Sequence, residues 1–179
     1  MQKLLIVRGH SGSGKSTFAL SKMAEFTQGS PHGKIFHIEN DHFLMEDGVY
    51  HWTFERFLQA KEKAQQLLAQ AFDFCRQYPE QDVFIVVSNV GGNTEEIRQM
   101  RAKADGLGLV TEIYRLQNFF DNTHQVEARI VHEMYLHLMN HPVEDEIFVP
   151  TLAPMTEKTR QEIEKLQAQK RKNRYTKKG

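Results

Sequence analysis

The chain has 179 residues, enough for one ordinary domain, with 40% hydrophobic and 26% charged residues, which excludes a disordered or fibrous chain. No apolar run approaches the roughly 20 residues that a membrane helix requires, and the single cysteine, Cys75, excludes an internal disulfide and a cysteine-built zinc site. The formal net charge of zero hides an asymmetry: residues 170–179 hold six of the 23 Lys and Arg and no acid, leaving 17 basic against 23 acidic side chains in the remainder.

The opening stretch, Met1 to Arg8, is too short and too soon interrupted for a signal peptide. Its apolar run Leu4–Val7 reads as a buried strand that leads into Gly9-His10-Ser11-Gly12-Ser13-Gly14-Lys15-Ser16. A helical stretch follows from Lys15 to about Phe26, and residues 28–33 are a loop by composition. Ile35–Ile38 is a second strand, followed at once by Glu39-Asn40-Asp41. The aromatic-rich Tyr50-His51-Trp52-Thr53-Phe54 can stack a base or seal the start of the next helix, and the second role is the expected one.

A long amphipathic helix spans about Thr53 to Tyr78, stopped by Pro79, with Cys75 on its apolar face. Val83–Val87 is a continuous β-branched and aromatic run, the pattern of a strand buried on both faces in a parallel sheet. It ends in Ser88-Asn89. Asn93 with Glu96 forms a helix-start signature, and that helix runs to about Ala104, with Gly106 closing it. Leu109–Leu116 is a fourth strand, and Glu127–Leu138 a helix whose apolar face is read as Val126, Ile130, Met134 and Leu138. Ile147–Val149 is a short fifth strand or an anchored loop, and a charged helix runs from Thr156 to about Lys172. Of the histidines near residues 132–141, only His137 and His141 share a helix face, and a solvated face is expected there rather than a metal site.

Alternating strands and helices predict an α/β fold, a three-layer sandwich with a mostly parallel sheet of four to five strands. The expected organisation is one domain over residues 1–155 and a charged C-terminal helix with a basic tail over 156–179.

Gly9-x4-Gly14-Lys15-Ser16 matches the phosphate-binding loop of P-loop NTPases at every defined position. Such a loop must converge backbone N–H groups on phosphate oxygens, so a side chain at its glycines obstructs the turn or the approach. The helix behind it turns its N-terminal N–H groups toward the same anion. ATP or a similar nucleotide is therefore the expected ligand, held by Gly9, His10, Ser11, Gly12, Ser13, Gly14, Lys15, Ser16 and Thr17. Lys15 stabilises the β/γ-phosphate charge and Ser16 ligates Mg²⁺. The strongest strand ends in Ser88-Asn89 rather than Asp, and Asp82 lies at its other end, which argues against a motor-type or switch-type hydrolase. It favours a kinase whose working carboxylate follows the second strand: Asp41 as general base, with Glu39 and Asp47 as weaker rivals.

The segment Ile38-Glu39-Asn40-Asp41-His42-Phe43 resembles the stretch after the second strand in P-loop polynucleotide 5′-hydroxyl kinases of the phage type. The resemblance implies that Asp41 activates the acceptor hydroxyl; His42 stands where that family has a second Asp, and Leu44 where an Arg is common. Asn122-Thr123-His124-Gln125-Val126 is similar to the segment opening that family's lid helix, which implies a lid built from Asn122, His124 and Arg129. Arg129 is the candidate for the lid cation because Asp121 occupies the place of the family's arginine. Ser88-Asn89 with Asn93 and Glu96 is a third match. The matches cover residues 4–140.

The function so implied is ATP- and Mg²⁺-dependent transfer of a γ-phosphate to a hydroxyl, foremost the 5′ end of a nucleic acid engaged by the basic tail. A nucleoside or small-molecule kinase and a nucleotide-binding regulatory protein with little turnover stand as alternatives. A reducing, cytoplasmic setting suits the lone cysteine, no membrane partner is expected, and the oligomeric state is open.

Overall fold

A computed structural model describes residues 1–121 and 125–177. Strand β1, Gln2–Arg8, is the centre of the fold, pairing in parallel with β5 (Val83–Ser88) on one side and β6 (Val110–Arg115) on the other. Strand β2 (Lys34–Ile38) adds in parallel to β5, and β7 (Ile147–Phe148) to β6, giving the order β2-β5-β1-β6-β7. The expected short fifth strand therefore forms, and all five strands run the same way. No helix of the described residues is long and apolar enough to cross a membrane.

Among the described residues, helices α1 (Lys15–Gly29), α2 (Phe54–Gln77), α3 (Thr94–Gly106) and α4 (Ala128–Asn140) connect strands, and α5 (Glu157–Thr176) follows β7. The twofold period of β1 divides the core. Leu4 and Ile6 pack with Ala71, Phe72 and Cys75 of α2 and Ile97 and Ala104 of α3, while Leu5 and Val7 pack with Ala19, Phe18 and Met23 of α1 on the opposite face. Residues 83–88 are buried throughout, as a strand covered on both faces must be. The result is the expected α/β three-layer sandwich.

Local chemistry sets the helix boundaries. Thr53 caps α2 by accepting the Arg56 N–H at 3.1 Å, and Asn93 caps α3 by accepting from Glu95 and Glu96. Helix α3 ends at Gly106, as expected, and Gly108 with φ of 76° takes the left-handed position after it. The apolar face of α4 is turned from its expected position. Val131, His132, Leu136 and Leu138 are buried, whereas Ile130 is 42% exposed. Helix α5 packs on α4, burying Ile163 and setting Glu162 beside His132.

Two elements were not expected. Residues Asn40–Phe43 form a 3-10 turn directly after β2, and β3 (Met45–Glu46) pairs with β4 (Val49–Tyr50) in a small hairpin. Asp47 and Gly48 at its tip have φ of 50° and 75°, the left-handed pair that a tight hairpin turn demands. The helix-sealing role expected for the neighbouring aromatics does not hold: Trp52 is 58% and Phe54 67% exposed.

A buried ion cluster closes the carboxyl edge of the sheet. Glu146 accepts from Arg8 Nη1 at 2.6 Å through one oxygen and lies 3.4 Å from Arg115 Nη1 through the other, with all three side chains at most 3% exposed. Arg8 also donates to the carbonyls of Gly91 and His141, and Arg115 to that of Leu138. Removing the anion leaves two arginines uncompensated. Glu146→Ala is expected to destabilise the protein by about 3–5 kcal/mol in urea unfolding, whereas Glu144→Ala, at an exposed position two residues away, changes stability by less than about 0.5 kcal/mol.

Candidate nucleotide and acceptor site

The phosphate loop leaves the end of β1, where strand order reverses between β5 and β6, the position at which open α/β sheets bind ligands. Gly14 has φ of 94° and sits at the head of α1 in the left-handed region. A Cβ at Gly9 would stand 2.3 Å from Ser13 Oγ and 3.0 Å from the Leu116 carbonyl, so the turn closes only around glycine. These are features of a cradle shaped for an anion.

The loop is held from outside by a residue that sequence reasoning missed. Asn118, 4% exposed just beyond β6, donates through Nδ2 to the Ser13 carbonyl at 3.0 Å. Its Oδ1 accepts from the N–H groups of Leu152 and Ala153 at 2.6 and 3.0 Å. The Phe120 N–H donates to the Gly12 carbonyl at 2.9 Å and Phe119 N–H to Ala153 at 2.7 Å. These carbonyls are thus engaged on the outer side of the loop, while the Ser13 N–H donates to the His10 carbonyl and the Gly9 N–H to that of Val90, each at 3.2 Å.

His10 lies within this support rather than at the surface. It is 1% exposed, its ring 4.3 Å from Phe119 and edge-on to Tyr135 at 5.7 Å. Burial pushes its pKa down to about 4. Ser11 is half-buried, and Ser16 and Thr17 are exposed.

Lys15 donates to the His10 carbonyl at 3.0 Å. Burial lowers its pKa to about 8 against the opposing pull of Asp41 and Glu39. Glu39 is the nearer to the loop hydroxyl: Ser16 Oγ donates to its Oε1 at 3.0 Å, and the residue is 6% exposed. Its Oε2 lies 3.4 Å from the Nε2 atoms of both His37 and His42. Burial alone would raise the Glu39 carboxyl, but the two imidazoles and the Ser16 hydroxyl outweigh it and hold it below the ordinary carboxylate value. Sequence reading ranked Glu39 second to Asp41; its place immediately after a buried strand end was the available signal.

Asp41 lies in the 3-10 turn, half-buried, with the Tyr50 hydroxyl 3.4 Å from its Oδ1. Burial first, and the Asp41 charge second, push the Tyr50 phenol up to about 12, so it remains a proton donor. Asn89, at the strand end where an acid was missing, instead accepts the Asn40 N–H through its side chain at 2.9 Å and ties β5 to that turn. Between α2 and α3 beside this turn lies a cleft of about 270 Å³, lined among others by Asn40, Asn89, Lys61, Lys103, Gln65 and Gln99.

Other expected residues fall elsewhere. Arg129 is 76% exposed at the start of α4 and pairs with Glu133 at 3.6 Å. Asn122 and His124 lie outside the described residues. Leu44, where the resembling kinases have Arg, is 1% exposed in the core. Asp82 pairs with the N-terminal amine at the opposite sheet edge. The solvated face expected for the α4 histidines holds only in part: His132 is buried with Glu162 Oε2 at 3.6 Å, while His137 donates to the Gly92 carbonyl at 2.9 Å and stacks on His141.

His10 makes stability depend on acid. Its folded pKa of about 4 lies below the unfolded value of 6.5, so between these limits the unfolded chain binds the extra proton. Its contribution is therefore complete above pH 6.5 and is lost as pH falls toward 4. Comparing urea unfolding at pH 7 and pH 5, the wild type is expected to lose about 2 kcal/mol more than His10→Phe, which keeps the stacked ring and cannot charge.

No protein-family model matches the chain. Among solved structures, Kti12 of Chaetomium thermophilum in complex with ADP-AlF3 aligns over 92% of this chain and 97% of that one, with a TM-score of 0.53 at 11% identity. A candidate kinase of Chloroflexus aurantiacus aligns over 93% and 97%, with a TM-score of 0.51 at 13% identity. These likenesses show the fold alone, the α/β three-layer sandwich described above. The chain is also 64% identical over 178 residues to the uncharacterized protein PM0531 of Pasteurella multocida (strain Pm70), covering 99% of each. A supported phosphate loop on this fold and that level of identity place the chain in one family with PM0531.

Proposed function

We propose that the protein is an ATP- and Mg²⁺-dependent phosphotransferase that delivers the γ-phosphate to a hydroxyl, with the 5′-hydroxyl end of a nucleic acid as acceptor. The observation that carries the reading is the meeting of Lys15 and Ser16 with two carboxylates, Glu39 and Asp41, at one sheet edge. The glycine-shaped cradle suits the donor phosphates, and Ser16 with Glu39 offers hard oxygen ligands of the kind Mg²⁺ takes. When bound, Mg²⁺ supplies charge neutralisation at the transferring phosphate.

The residues then divide the work. Loop N–H groups and the Lys15 ammonium hold phosphate charge, and Glu39 fixes the Ser16 hydroxyl. Asp41, kept in its turn by Asn89 through Asn40, accepts the proton of the acceptor hydroxyl. Asn122 and His124, with Arg129, stand as the lid of this reading. The exposed cations Lys170, Arg171, Lys172, Arg174 and Lys177 on and after the last turns of α5 suit a polyanionic acceptor. One observation favours a second acceptor class: a cleft of about 270 Å³ between α2 and α3 is lined by Asn40, the residue before Asp41, and by Asn89.

Transfer of label from γ-labelled ATP to 5′-hydroxyl oligonucleotides and to free nucleosides tests both readings. Oligonucleotides are expected to be labelled, with Asp41→Asn lowering the rate by about 10²–10⁴-fold while ATP binding persists. Deleting residues 170–179 is expected to weaken oligonucleotide use and flatten its salt dependence. Preferential labelling of nucleosides, indifferent to the deletion, supports the second acceptor. ATP binding without transfer to any acceptor overturns the phosphotransferase reading in favour of a regulatory nucleotide binder.

A further inference from the structure

His37, Glu39 and His42 are brought together by two local periodicities. His37 and Glu39 are two apart at the end of β2, so the strand pleat sets them on one side. The 3-10 turn then returns His42, three residues after Glu39, over the same carboxylate. The two imidazole rings meet edge-on, with centroids 4.7 Å apart. Glu39 Oε2 lies 3.4 Å from each Nε2, and all three atoms lie within 4.8 Å of one another.

The donor atoms face one another without bonding. Glu39 Oε2 and His37 Nε2 are buried and have no hydrogen-bond partner among the described residues, and the Glu39 side chain is only 8% exposed. A buried carboxylate oxygen that accepts no hydrogen bond is costly unless something positive occupies the space before it. The other oxygen, Oε1, is already engaged by Ser16 Oγ at 3.0 Å, which fixes the carboxylate's orientation as an outer hydrogen bond does in metal sites.

From this geometry we infer a divalent-cation site of the zinc type, formed by His37 Nε2, His42 Nε2 and Glu39 Oε2, that no phosphate-loop chemistry requires. An ion bound tetrahedrally at about 2.0–2.1 Å holds its ligand atoms about 3.4 Å apart, which is the separation of both Glu39–His edges. Octahedral Mg²⁺ at about 2.1 Å would need about 3.0 Å and takes oxygen rather than imidazole nitrogen. Only the His37–His42 edge must close, and His42, 51% exposed on a short turn, is the ligand placed to move. Three protein ligands leave a fourth position for water or an oxygen of a bound molecule, the arrangement of an exchangeable site rather than a closed structural one. Because Glu39 touches Ser16 through its other oxygen, occupancy couples this cation to the phosphate loop and to the turn that carries Asp41.

The site is tested on the full-length protein without nucleotide or acceptor, so the result is independent of the phosphotransferase reading. Titration with Co²⁺ is expected to give the intense visible bands of tetrahedral coordination at one equivalent, displaced by Zn²⁺. Competition of Zn²⁺ against a chromophoric chelator is expected to show affinity falling at least about tenfold in His37→Ala and in His42→Ala. His42 is exposed, so His42→Ala is expected to keep the wild-type urea midpoint, and loss of binding there is loss of a ligand. The double variant His137→Ala/His141→Ala, which removes the other close histidine pair, is expected to bind as wild type. Absence of saturable binding, weak octahedral cobalt bands, unchanged affinity in His42→Ala, or loss in the His137/His141 variant each overturns the proposal.

Discussion

The carboxyl edge of the sheet depends on a charge that would be prohibitive alone. Arg8 ends the strand from which the phosphate loop departs, and it is fully buried. Glu146 makes that position tolerable, and it does so while also engaging Arg115 at the end of the neighbouring strand. Desolvation of such a group is repaid only when geometry and hydrogen bonding are both satisfied. The carbonyls of Gly91 and His141 accept from Arg8 and that of Leu138 from Arg115 Nη1, while Arg115 Nε and Nη2 have no hydrogen-bond partner among the described residues. One anion thus gathers β1, β6, the loop after β5 and the end of α4 around the base of the site.

On this base, two further polar ties set the functional groups. Asn118 holds the phosphate loop from the β6 side, and Asn89 holds the Asp41 turn from the β5 side. Both are neutral amides, able to donate and accept at once without adding charge beside the glycine-rich loop. The charge of Lys15 within the loop is met by Glu39 and Asp41.

Much of the fold was legible because its signals are local. The continuous apolar run of β5, the loop glycines and the Asn93 cap each declare one conformation within a few residues. The hairpin was equally legible in Asp47-Gly48, although the segment was read only for aromatics and carboxylates. What escaped was set by distance along the chain. Nothing near Asn118 indicates that its partners are Ser13 and Leu152, and the face of α4 depends on α5 packing against it. His132 looked solvated because a helix wheel cannot show a second helix arriving. Asp41 was placed at the correct edge, but the prominence of Glu39 emerges only once β2 lies beside α1 and Ser16 is within reach.

The reach of Asn118 bears on how the protein is made. Every residue of the phosphate loop is synthesised within the first sixteen positions, yet the loop's outer carbonyls wait for Asn118 and Phe120. Asn118 in turn waits for Leu152 and Ala153. The nascent chain therefore carries a complete loop sequence long before it carries a complete loop. Closure of the loop's outer side waits for Ala153, by which point all five strands of the sheet have been made.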